Sequence, residues 1–140
     1  MNTFTYDEIS VGQEESFEFC ISEDNMVEFR NITGDINPLH LDKDYAIKRG
    51  YKDRVCYGML TASFLSTLAG VYLPGRASLI HSVQINMLQP VYINQPLICF
   101  GIVANKSETS KAIKLVFRII SKDSEENLVS GNMRILVADA

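Results

Sequence analysis

The chain has 140 residues, 46% of them hydrophobic and 21% charged, with a formal net charge of −4. That length and balance suit one globular domain over residues 1–140, and the acidic balance argues against general nucleic-acid binding. No apolar run reaches the roughly 18 residues of a membrane span.

The N-terminus, Met1-Asn2-Thr3-Phe4-Thr5-Tyr6-Asp7-Glu8, lacks a basic region followed by an apolar stretch, so no signal peptide is expected. Cys20, Cys56 and Cys99 are scattered, and with two histidines they give neither a disulfide framework nor a zinc-ligand spacing. The expectation is a reducing, cytoplasmic compartment and no metal.

Residues 14–21 alternate apolar and polar side chains and predict a strand. Ser22 follows as an N-cap, with Glu23 and Asp24 in the first turn of a short amphipathic helix through Met26, Val27, Phe29, Arg30 and Ile32. Gly34 can end that helix, so Asp35 opens the next loop. Pro38 disfavours a helical Asn37. Asp42 caps a second short helix, 43–49, that stops at Gly50. Lys43, Lys48, Arg49, Lys52 and Arg54 make this stretch basic, as either a solvated face or a phosphate contact.

Residues 58–73 predict the longest helix. They carry no charge and are apolar or small almost all round, the pattern of a buried helix; Pro74-Gly75 stops it. The period then changes. Residues 78–88, 97–106, 111–121 and 128–138 predict four strands split by turn-like stretches. Strands in succession without alternating helices imply an α+β class, with an antiparallel sheet wrapped around the charge-free helix.

Thr33-Gly34-Asp35-Ile36-Asn37-Pro38-Leu39-His40 holds the main chemical hypothesis. A turn there can bring the Asp35 carboxylate and the His40 imidazole together, one to hold a water and the other to move a proton. The same residues also fit a turn Asp satisfying backbone amides beside a structural His. Asn37 either bonds the loop backbone or simply forms the turn. Gly58 opens the long helix with no side chain over its amide, which suits either a developing oxyanion or close packing. Ser66, two turns on, either bonds Asp35 or a ligand or bonds back to its own helix. His81, in a strand with Leu79, Val83 and Ile85 placed on its face, reads as structural, and Cys56 as a small core residue.

Gly34-Asp35-Ile36-Asn37-Pro38-Leu39-His40-Leu41-Asp42, Gly58-Met59-Leu60-Thr61-Ala62-Ser63 and Leu73-Pro74-Gly75 closely resemble the MaoC-like, (R)-specific enoyl-CoA hydratase family, and Gln89-Pro90-Val91 fits a Pro-Val at the end of one of its strands. The resemblance implies a hot-dog fold and at least a homodimer, with an acyl tunnel near the subunit interface. It implies hydration of a trans-2-enoyl thioester to the (R)-3-hydroxyacyl thioester, on coenzyme A or acyl carrier protein, without a cofactor. Asp35 and His40 match the family's catalytic pair, Gly58 its oxyanion amide and Ser66 a helix serine near the site. Asn37, Tyr57 and Ser63 complete the expected substrate contacts with Ser66. The family usually has His before the helix-start Gly, where this chain has Tyr57; Val83 also replaces a residue commonly polar in relatives.

Two other functions compete. A hot-dog thioesterase uses a carboxylate on the central helix, and none stands between Gly58 and Leu73. A non-catalytic acyl-thioester binder is at odds with an intact Asp35 and His40, although Tyr57 leaves it open.

Overall fold

The computed structural model describes residues 1–138. Strand β1 (Glu14–Phe19) is followed by helices α1 (Glu23–Thr33), α2 (Pro38–Leu41), α3 (Lys43–Lys48) and α4 (Gly58–Thr67), then by β2 (Ser78–Met87), β3 (Leu97–Ser107), β4 (Ala112–Ser121) and β5 (Asn127–Val137). The five strands form one antiparallel sheet in the order β1-β3-β4-β5-β2.

Alternation sets the sheet's two faces. In β4, Ile113, Leu115, Phe117 and Ile119 are buried against the helix layer, while Lys114 and Arg118 point to solvent. Their neighbours Met133 and Ile135 of β5, and Cys99 and Val103 of β3, lie in the same core. Against that face pack Leu65 of α4 and Leu68, Ala69 and Leu73 beyond it, each at most 3% exposed. Burying a leucine of this kind contributes about 1.5–3 kcal/mol. The helix comes so close that a Cβ on Gly101 of β3 would stand 3.0 Å from Leu68 Cδ2. This is the wrapped-helix arrangement of the hot-dog fold, as expected from the element order.

The long helix differs from expectation in two respects. Its α-helical part ends at Thr67, and residues Leu68–Tyr72 continue as a π-helical segment. It is also not buried all round: Met59 is 66% exposed, and Ser63 and Ser66 lie exposed on the same side. A charge-free surface signals burial only if something covers it, and within one chain the sheet covers a single side.

Local signals hold around α1. Ser22 and Asn25 form a reciprocal capping box, and Gly34 closes the helix with a left-handed φ of 73°. At α2, where only a turn was expected, Asn37 is instead the N-cap and Pro38 the first residue of a one-turn helix, the position where a missing N–H costs nothing. In β2 the register to β5 shifts between Ile80 and Ser82, leaving His81 at a bulge. Leu79 therefore pairs with Leu136 and Val83 with Met133, which puts Leu79 and Val83 on opposite faces and not on one. His81 is exposed, and Arg134 donates to its Nδ1 at 2.6 Å.

Candidate active site

The Asp35–His40 segment is a chain of local side-chain caps. Thr33 Oγ1 accepts from the Asp35 amide at 3.3 Å, Asp35 Oδ1 from the Asn37 amide at 3.0 Å, and Asn37 Oδ1 from the Leu39 amide at 3.0 Å. Two Asx turns in succession lead into α2 and place His40 near its end. The His40 Nδ1 lies 2.7 Å from the Val55 carbonyl oxygen. A carbonyl only accepts, so Nδ1 carries a proton, and the tautomer this selects leaves the lone pair on Nε2.

Gly58 begins α4, and its N-cap, Tyr57, makes no side-chain hydrogen bond to the first turn. The first amides of a helix have no intrahelical partner and lie at the positive end of the dipole. A Cβ on Gly58 would meet only the flexible end of Met87, with Cε at 3.4 Å and Sδ at 3.6 Å.

These parts converge. One cavity of about 480 Å³ is lined by Phe29, Thr33, Asp35, His40, Tyr57, Gly58 and Met59. A second, of about 300 Å³, shares His40 and Gly58 and runs past Tyr51, Met87 and Gln89. The imidazole and the open amide thus stand where the two cavities meet, with the carboxylate in the wall of the larger.

Of the expected contacts, Asp35, His40, Tyr57 and Gly58 come together. Asn37 is exposed and serves as the α2 cap. Ser63 donates to the Leu60 carbonyl at 2.6 Å, and neither it nor Ser66 lines these two cavities. Tyr57 is 1% exposed; its hydroxyl donates to the Asp35 carbonyl oxygen at 2.7 Å, and burial, then the nearby Asp35 charge, raise its pKa. Cys56 is buried as expected, and burial pushes its thiol up to about 12. Met87, Leu88 and Gln89 line the smaller cavity, which the sequence does not signal: Gln89-Pro90 reads there as a turn and Gln89-Pro90-Val91 as a strand-end motif. Among the described residues no group of three or more His, Cys, Asp or Glu side chains converges as a metal site would.

Much of the basic stretch is engaged locally. Arg54 pairs with Glu23 through both guanidinium Nη atoms, Lys43 lies 3.8 Å from Asp53, and Lys52 sits over the Tyr92 ring.

A sheet wrapped around a helix, with a carboxylate, an imidazole and a helix-start amide lining two adjacent cavities, defines a hot-dog protein with a candidate acid/base site. The MaoC-like domain model matches residues 8–123, and the chain belongs to that family. It is 27% identical over 132 residues to an (R)-specific enoyl-CoA hydratase of Rhodospirillum rubrum, covering 94% of this chain and 90% of the relative. Among solved structures, the unliganded R-hydratase PhaJ1 of Pseudomonas aeruginosa superposes with a TM-score of 0.90 at 25% identity, over 99% of this chain and 88% of that one. The (R)-hydratase of A. caviae involved in PHA biosynthesis gives 0.86 at 26% identity, over 92% and 97%.

Proposed function

We propose that this chain, a lyase of the hydratase and dehydratase class, adds water reversibly across a trans-2-enoyl thioester to give the (R)-3-hydroxyacyl thioester. The observation that carries the reading is the shared position of His40 and Gly58 on the two cavities, with Asp35 beside them. The Asp35 carboxylate holds the water, and His40 Nε2, its lone pair free because Nδ1 donates to Val55, takes a proton from it. The water oxygen bonds to C3, and the proton returns to C2, so the sum is one water added. The Gly58 amide receives the enolate charge that builds on the thioester oxygen between these steps. The thioester acidifies C2 and activates C3, so no cofactor takes part. Coenzyme A and acyl carrier protein present the same phosphopantetheine thioester, and either serves as carrier.

The site works in a homodimer. The outer edge of β2 pairs with no strand among the described residues. Beside it Ile80, Val83 and Met87 on the helix side of the sheet are 36%, 44% and 45% exposed, next to the uncovered side of α4. A bare edge flanked by apolar side chains invites another strand. Three free thiols, Cys20 among them exposed, support a reducing, cytoplasmic setting.

The test is loss of enoyl absorbance from crotonyl-CoA, and from longer and carrier-bound enoyl thioesters, coupled to an (R)-specific 3-hydroxyacyl dehydrogenase, with free thiol measured in parallel. Absorbance loss with coupling and no thiol supports the reading. Thiol release from a saturated acyl-CoA identifies a thioesterase, and binding without turnover a non-catalytic binder.

A further inference from the structure

We propose that Tyr57 is a positioning residue that holds Asp35 and His40 in register with Gly58; this rests on the hydratase reading of the site. Three contacts converge on the one side chain. Its hydroxyl donates to the Asp35 carbonyl oxygen at 2.7 Å. Its ring lies against the His40 ring, centroids 4.1 Å apart and planes 35° from parallel. Its own backbone caps α4, so the next amide is that of Gly58. The Phe29 ring of α1 also packs against Tyr57, 4.8 Å between centroids. Tyr57 thereby touches the carboxylate loop, the imidazole and the helix start at once, while its hydroxyl is already committed to the backbone.

The loop needs such an anchor. The hydrogen bonds recorded at residues 34–37 run to positions within four residues, except the bond from Tyr57. Asx turns set the loop's shape, but only the Tyr57 bond ties it to α4. His40 needs a second restraint for a different reason. The bond from Nδ1 to Val55 leaves the ring free to tilt about that axis, and the tyrosine face removes this freedom, which fixes where Nε2 points.

The test compares wild type with Tyr57→Phe, which removes the hydroxyl and keeps the ring face, and with Tyr57→Leu, which removes both. Tyr57→Phe is expected to lower kcat about tenfold, the worth of one neutral hydrogen bond, with KM within about twofold of wild type, the pattern of lost alignment and not of lost binding. Amide hydrogen exchange at Asp35 and Asn37 speeds up in the same variant. Tyr57→Leu lowers kcat further. Its His40 ring signals, followed by nitrogen NMR with His81 removed by His81→Gln, shift and broaden as the ring tilts, while the Nδ1–H tautomer set by the Val55 carbonyl is kept.

A rise in KM with kcat unchanged would make Tyr57 a substrate contact and overturn the proposal. So would unchanged kcat, exchange and His40 ring signals in folded variants. If the wild type shows no turnover, the hydratase reading fails, and the exchange and NMR measurements still decide whether Tyr57 sets the geometry. If Tyr57→Leu does not fold, Tyr57→Phe decides alone.

Discussion

Replacing Gly58 by Ala separates an amide kept bare for chemistry from a glycine kept for packing. The backbone at Gly58 is not in the left-handed region, since the glycines with positive φ are Gly12, Gly34, Gly50 and Gly75. A new Cβ meets Met87 Cε at 3.4 Å and Sδ at 3.6 Å, ordinary contact with the end of a flexible side chain. Alanine is also the better helix residue, by about 0.5–1 kcal/mol in a helix interior and less at a first position. Folding should be unharmed, and the urea midpoint equal to or slightly above wild type. Activity should go the other way. The methyl group stands in the wall common to both cavities, where an oxygen must come within about 3 Å of the amide; losing one such donor costs about 10²–10³ in kcat. The assay pairs urea unfolding with enoyl-thioester hydration on the same preparation. A Gly58→Ala protein that keeps kcat within about threefold, or that loses more than about 2 kcal/mol of stability, would refute the reasoning and make Gly58 a packing residue.

Gly131→Ala should do the opposite and cost stability outright, because its Cβ would stand 1.9 Å from the Gln84 carbonyl oxygen and 2.7 Å from Phe117 Cζ; a loss of about 3 kcal/mol or more by urea unfolding is expected. A thiol reagent should titrate one cysteine rapidly in the native protein, the exposed Cys20, and three in denaturant, since Cys56 and Cys99 are buried with pKa values pushed up to about 12. Raised folded-state values mean that the two thiols favour folding fully below the ordinary thiol pKa. Above about pH 9 each thiol should erode stability by about 1.4 kcal/mol per pH unit, visible as a urea midpoint that falls between pH 9 and pH 10.5 more steeply than in Cys99→Ala. Val83→Asp, placing a charge beside the free edge of β2, should convert a dimer to monomer in sedimentation at micromolar concentration; an unchanged sedimentation coefficient would move the interface elsewhere.

Much of the fold was legible because period and punctuation agree. The alternation of Ile113, Leu115, Phe117 and Ile119 fixed a half-buried strand, and Ser22 and Gly34 bracketed α1 where capping chemistry demands. The extent of burial around α4 was not legible. Met59, Ser63 and Ser66 look the same in sequence whether a sheet or a second subunit covers them. The bulge at His81 was hidden for a related reason: one inserted residue reverses the faces without changing composition, so Leu79 and Val83 appeared to share a side. At the site, Asp35, Asn37 and His40 stood out because Asx turns and an N1 proline are local signals. That Tyr57 reaches back to the Asp35 carbonyl depends on packing across 22 positions, which no local pattern encodes. Ser66, two turns into the helix, reads in sequence as a partner of Asp35 or a ligand or as a bond back to its own helix, and on α4 it lies exposed and lines neither of the cavities that His40 and Gly58 share.

The most direct measurement is the rate of hydration of crotonyl-CoA by wild type, Asp35→Asn and His40→Gln, each first shown to keep the wild-type unfolding midpoint within about 1 kcal/mol. Removing either member of an acid/base pair is expected to lower kcat about 10²–10⁴-fold, with far less change in KM, and the double variant to be little worse than the poorer single one. Hydration that persists within about threefold in both single variants would contradict the assignment and leave Asp35 and His40 as a structural turn.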